Sequence, residues 1–245
     1  MLEMLELARA NLENLRRNPY PGQGIIVGRD GSGENRVQVY WIMGRSENSR
    51  NRVFGQDLET GRVFTEAVDP AKVKDPSLII YNAMMEWNDC FVVSNGEQTD
   101  FVINAFVRNW TLFDAMYSTS YEPDAPNYTP RISAVCFARS GHFQMAINRK
   151  SPWSEACDRH LYCFGKVQRG FGFCLTTYSG DGSPLPAFQG EPYPLLLKGD
   201  NNIKEVTGIL WDVLNPENRV ALAVKFINRD SGKSTIEIIN KYAKV

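Results

Sequence analysis

Apolar residues recur along the chain with two periods, and the switches between them mark out the elements. Met1, Leu5, Ala8, Leu12 and Leu15 fall on one stripe of a helix that Pro19 ends. That stripe faces either the core or a partner. From Gly24 the period shortens, and residues 25–28 and 37–43 read as the two strands of a hairpin joined by RDGSGEN, with Asp30-Gly31 as the turn signal. Short buried strands follow at 78–81 and 91–94, the second ended by Gly96. Phe101, Val102, Phe106, Trp110, Phe113 and Met116 recur at helical spacing, which predicts one core helix over 99–117 with Asp100 in its first turn.

Further strands are expected at 132–138, 143–147, 161–167 and 171–177, then a helix at 203–213 and a closing hairpin of 220–227 with 235–239. Three polar stretches separate these elements. GRSENSRNR is too polar for a core element, YEPDAPNYTPR is a rigid proline-rich loop, and TYSGDGSPLPAFQGEPYP is a lid or a connector. Strands next to each other outnumber helices between strands, so the pattern is that of an α+β protein with mostly antiparallel sheets. Neither an internal repeat nor linker composition interrupts it, so residues 20–245 read as one domain and 1–19 as a helical extension.

Composition narrows the functional classes. Lys and Arg number 27 against 28 Asp and Glu, a net charge of −1, which gives no reason to expect a nucleic-acid partner or an anionic membrane surface. A local anion pocket remains open. No stretch approaches the roughly 20 apolar residues of a membrane helix. The five cysteines do not make an even disulfide framework, and MLEMLELARANLENLRR lacks the pattern of a secretory signal. A cytoplasmic protein with reduced thiols is expected.

Three motifs are set aside on chemical grounds. SGKST at 231–235 lacks the P-loop glycine, which would stand at Ile227. Cys157, His160, Cys163 and Cys174 offer zinc-ligand types, but only the first pair has the usual ligand gap, and Cys163 and Cys174 lie in aromatic strand sequence. Neither His142 nor His160 has a recognisable nucleophile context, so carboxylate, phenol and guanidinium groups must carry any catalysis.

Five polar segments remain that packing does not explain. YPGQGIIVGRD, VYWIMGRSENSRNR, IIYNAM, VVSNGEQTD and YEPDAPNYTPRI occur in this order between Tyr20 and Ile132, a little under half of the chain. The ordered set resembles the archaeal-type IMP cyclohydrolases, with VSNGEQTD and TPRI the most specific parts. The resemblance implies a four-layer αββα sandwich like that of N-terminal-nucleophile hydrolases, without their terminal nucleophile; residue 2 here is Leu. It implies closure of 5-formamidoimidazole-4-carboxamide ribonucleotide to IMP with loss of water, with no metal and no cofactor, by a homo-oligomer acting on a purine nucleotide.

Carried over by motif position, the resemblance implies Arg52, Tyr81 and Glu122 as catalytic groups. Arg52 would polarise the formyl oxygen or clamp the phosphate, Tyr81 would donate to a developing oxyanion, and Glu122 would move protons. Asn82, Asn95, Asp100, Thr129 and Arg131 match further motif positions as substrate-binding or supporting groups. Arg45 and Ser46 are the candidates for phosphate, where arginine's planar fork suits the anion. The chain departs from the family at Gln23, where an arginine is usual, and at Met43-Gly44, where two serines are. The segment from Glu122 to Thr129 is one residue longer, and there is extra material at the C-terminal end. Those departures keep open a related amide or cyclic-amide hydrolase and a purine-nucleotide binder without activity.

Overall fold

The computed structural model describes residues 2–73 and 75–242. Its first element is helix α1 (Leu2–Arg17), which buries Ala8 and Leu15 and half-buries Leu5 and Leu12. Met1, assigned to the same stripe, lies outside the described residues. Strands β1 (Gly24–Arg29) and β2 (Asn35–Met43) form the expected hairpin. Its turn is held by Asp30, a buried carboxylate that accepts from the backbone of Gly33, Asn35 and Asn201 and from the side chains of Ser32 and Asn35. A single turn, α2 (Glu47–Arg50), follows, and then strands β3 (Val53–Asp57), β4 (Arg62–Glu66), β5 (Asn82–Trp87) and β6 (Cys90–Ser94). Helices α3 (Gln98–Val107) and α4 (Leu112–Tyr117) precede β7 (Arg131–Phe137), β8 (Phe143–Lys150), β9 (Cys157–Phe164), β10 (Phe171–Thr176) and β11 (Tyr193–Leu196). Helix α5 (Ile203–Val213) and the hairpin β12 (Arg219–Asn228) with β13 (Ser234–Asn240) complete the chain.

The strands make two antiparallel sheets, ordered β11-β10-β1-β2-β12-β13 and β3-β4-β5-β6-β7-β8-β9. Successive side chains of a strand point to opposite faces, and both faces are covered over the central strands of each sheet. Between the sheets, Ile25, Val27, Tyr40 and Ile42 meet Ile132, Ala134 and Met145. On the outer face of the first sheet, Ile26, Val39, Trp41 and Leu222 pack on Val206, Leu210 and Val213 of α5 and on Leu15 of α1. On the outer face of the second, Val92, Val135 and Ala146 pack on Val102, Leu112 and Met116 of α3 and α4. The fold is therefore α+β with two antiparallel sheets and helices outside both, compatible with a sandwich. Two-sided cover explains why all nine residues of β2 are buried and why it is apolar without a break from Val39 to Met43.

Several expectations need correction. Residues 78–81 are not a strand: a 3-10 turn over Pro76–Leu78 takes in the first of them and the strand starts at Asn82, because proline favours the turn and cannot donate to a ladder. The helix expected over 99–117 is two. Asn109 takes a left-handed φ of 60°, and Thr111 starts α4 with a capping box closed by Asp114. Phe101, Trp110 and Phe113 are about half exposed, so only part of the aromatic stripe is core. The β3–β4 hairpin and β11 went unread, being short and polar or inside the Pro/Gly stretch, and β9 begins at Cys157 and ends at Phe164, not 161 and 167.

Candidate active site

Trp41 sets the geometry of the chain entering β1. Its ring lies against Gly24, where a Cβ would stand 1.9 Å from it, and its Nε1 donates to the Gly22 carbonyl at 2.9 Å. Gly22 itself holds a φ of 71°, which glycine adopts at no steric cost. The neighbouring Gln23 is thereby turned into a cleft of about 280 Å³, walled by residues at the strand ends of both sheets. Such a space suits a small molecule more than a polymer.

The first sheet contributes Gln23 before β1, Met43 at the end of β2 and Arg45 after it, and Thr177 and Tyr178 after β10; Arg52 enters β3, and Glu122 and Thr129 precede β7. Arg52 is 4% exposed and uses Nε on the Ser49 carbonyl at 3.0 Å, leaving the outer guanidinium nitrogens for a ligand. Glu122, 6% exposed, pairs with Arg131 at 3.0 Å, and its backbone N–H donates to the Thr129 carbonyl. Burial pushes the Glu122 carboxyl up to about 7, with Arg131 and Arg52 pulling down and Asp124 and Glu97 adding to the rise. Desolvation thus outweighs the ion pair, and near neutral pH this group both holds and releases a proton.

Tyr81 lies behind the lining. Its hydroxyl stands 2.6 Å from that of Tyr40, which reaches Gln23 Oε1 at 3.2 Å. Burial raises the Tyr81 phenol, and Arg52 opposes the rise. Arg131 is also behind the wall, on Glu122 and on the Asn95 carbonyl. Asn95 is committed to backbone. It donates to the Pro130 carbonyl and accepts from the Ile132 N–H and from Gln98, tying the TPRI segment to the end of β6. Asn82 and Asp100 bond each other at 2.9 Å on a different depression beside Arg62. The ordered motifs thus gather Arg45, Ser46, Arg52, Glu122 and Thr129 in one cleft, with Tyr81 and Arg131 supporting it, and leave Asn82, Asn95 and Asp100 outside.

The mouth of the cleft differs from the expectation for free phosphate ligands. Arg45 is ion-paired with Asp181, donates to the Gly182 carbonyl and lies 4.8 Å over the Tyr20 ring. Ser46 caps α2 through reciprocal bonds with Ser49. Thr129 is held between Asp124 and the Tyr178 hydroxyl, both at 2.5 Å. Tyr20, Tyr40, Asp124, Tyr178 and Asp181 went unread as site residues. Tyr40 looks like one more apolar strand position, and Tyr178 and Asp181 belong to a stretch whose composition signals only a loop.

The cysteines are dispersed. Cys157 and Cys163 project from one face of β9 and His160 from the other, and Cys174 is buried in the opposite sheet. Among the described residues no three His, Cys, Asp or Glu side chains converge as a metal site, and no helix is long and apolar enough to cross a membrane.

A family model described as IMP cyclohydrolase-like protein matches residues 20–232, which leaves α1 and β13 outside it. No curated protein matches the chain.

Proposed function

This chain belongs to the IMP cyclohydrolase-like family, and from that premise we propose that it closes 5-formamidoimidazole-4-carboxamide ribonucleotide to IMP. The observation that carries the reading is Glu122, a buried carboxyl with its pKa near 7, on the wall of a cleft that also presents Arg52. The carboxamide nitrogen bonds to the formyl carbon, losing one proton, and the formamido nitrogen loses a second as the ring C=N bond forms. Both protons end on the former formyl oxygen, which departs as water. Glu122 moves these protons, a task that favours a pKa near working pH. Arg52 meets the negative charge that grows on the formyl oxygen, in a site where water is largely excluded and the charge is worth more. Reactant proximity comes from the imidazole ring, so the cleft has to hold only the productive rotamer.

The rest of the reading rests on the family resemblance: an N-terminal-nucleophile-hydrolase-like sandwich, a cytoplasmic homo-oligomer, a purine nucleotide as ligand and no nucleic-acid partner. Arg45 serves the ribose phosphate once Asp181 yields it. The experiment is ultraviolet monitoring of IMP formation by the wild type and by Glu122→Gln, which removes the proton acceptor at nearly constant volume. We expect closure by the wild type and a loss of 100-fold or more, on the order of a positioned acid/base, in a folded variant. Equal turnover by both would remove Glu122 from the chemistry, and no closure by either would remove the reaction.

A further inference from the structure

Gln23 is 8% exposed and lines the cleft. Its backbone N–H donates to Thr177 Oγ1 at 3.1 Å, which anchors the residue, and its Oε1 accepts from the Tyr40 hydroxyl. A phenol has one proton, so when Tyr40 donates to Gln23, the 2.6 Å contact with Tyr81 is made by the Tyr81 proton. The three groups then form a chain with one direction, Tyr81 to Tyr40 to Gln23 Oε1. An amide whose oxygen is held this way turns its Nε2 away from Tyr40. No group among the described residues bonds to that Nε2, and Gln23 lines the cleft.

We infer that Gln23 is a specificity-determining donor for an uncharged carbonyl-type oxygen of the ligand, and that Tyr40 and Tyr81 are the positioning residues that fix which end of its amide faces that oxygen. The inference rests on the cyclohydrolase reading for the identity of the ligand, because the formyl and carboxamide oxygens are of this type. The hydrogen-bond chain does not rest on it. Donors in such a chain polarise one another, so each proton in it strengthens the next bond toward the cleft. A carboxylate at this position would present an acceptor to the ligand oxygen and repel it. An apolar side chain would leave that oxygen unpaired, a loss that sites built around one polar contact register strongly.

Two measurements test the two halves. The first needs no ligand. Fluorotyrosine is placed at residue 81 and its ionisation followed by fluorine NMR in four proteins: otherwise unchanged, Gln23→Met, Tyr40→Phe, and both. The charged and titratable groups around this phenol are Arg52, Glu122, Arg131 and Tyr40, and all but Tyr40 are constant across the set. Gln23→Met is expected to change the ionisation constant about fivefold, the size of one net hydrogen bond, and to change nothing once Tyr40 is Phe. An equal change with and without the Tyr40 hydroxyl would overturn the chain.

The second is calorimetric titration with IMP, a probe that carries one ring carbonyl. Gln23→Glu and Gln23→Met are expected to lose about tenfold or more in affinity, and Tyr40→Phe to lose less, because the amide can still turn. Unchanged affinity in the Gln23 variants would overturn the donor role. A wild type that neither binds IMP nor forms it would sink the cyclohydrolase reading and the ligand half together, while the first measurement still decides the chain.

Discussion

Replacing Glu122 by Gln makes protein stability a probe of the proton that the chemistry needs. The buried carboxyl titrates near 7 against an ordinary value of 4.5. Between these pH values the native state keeps a proton that the unfolded chain has released, so the stability of the wild type falls as pH rises through that window and is level above it. At about 1.4 kcal/mol per tenfold change in binding, the loss is about 3 kcal/mol. The group is 6% exposed, so screening by water removes little of this. Below pH 4.5 the wild type and the variant offer Arg131 the same kind of neutral oxygen, and their stabilities should nearly coincide. Above pH 7 the variant should be the more stable by the full amount, or about 6–12 °C in Tm for a chain of this size. Thermal unfolding of both proteins from pH 4.5 to 8.5 reads the difference directly, because every other titration cancels between them. A difference that stays constant across that range would mean that Glu122 is ionised throughout. It would then be unable to donate a proton near neutrality.

Other consequences follow from particular contacts. Asp181→Asn releases Arg45 from an exposed ion pair worth about 1 kcal/mol or less, so affinity for IMP should rise about two- to fivefold by calorimetry; unchanged or weaker binding would place Arg45 away from the phosphate. Gly24→Ala drives a Cβ into the Trp41 ring and should lower stability by about 1–3 kcal/mol through overpacking, read by denaturant unfolding; a neutral effect would mean that the ring has room to move. Thr111→Ala removes the cap that starts α4 and should cost about 1 kcal/mol without altering affinity for IMP. A change in affinity there would tie the outer helices to the cleft.

The element pattern was largely legible because it is local. The short apolar runs of β1 and β2, the alternation in β8, the stripe of α5 and the turn at Asp30-Gly31 each depend on neighbours a few residues away, and they stand where the periodicity puts them. The identity of Arg52 and Glu122 as candidates came from motif order, and the cleft brings them to one wall. Local pattern failed where two local signals competed. The aromatic stripe through 99–117 has helical spacing, but a left-handed turn at Asn109 divides it, and Phe101, Trp110 and Phe113 are about half exposed.

What only the tertiary structure decided is which polar groups share an environment. Asn82 and Arg52 are equally prominent in the motifs, but the two sheets turn one to an outer depression and the other into the cleft. The link from Gln23 through Tyr40 to Tyr81 joins residues 17 and 41 positions apart and exists only because β2 and the chain entering β5 face each other across the core. The proton affinity of Glu122 is decided there as well. A glutamate in sequence is an ordinary acid, and its rise to about 7 comes from the water that the folded chain removes. Side-chain type and short-range period are written along the chain. Desolvation and long-range pairing are properties of the packed whole, because they depend on atoms that the chain brings together only on folding.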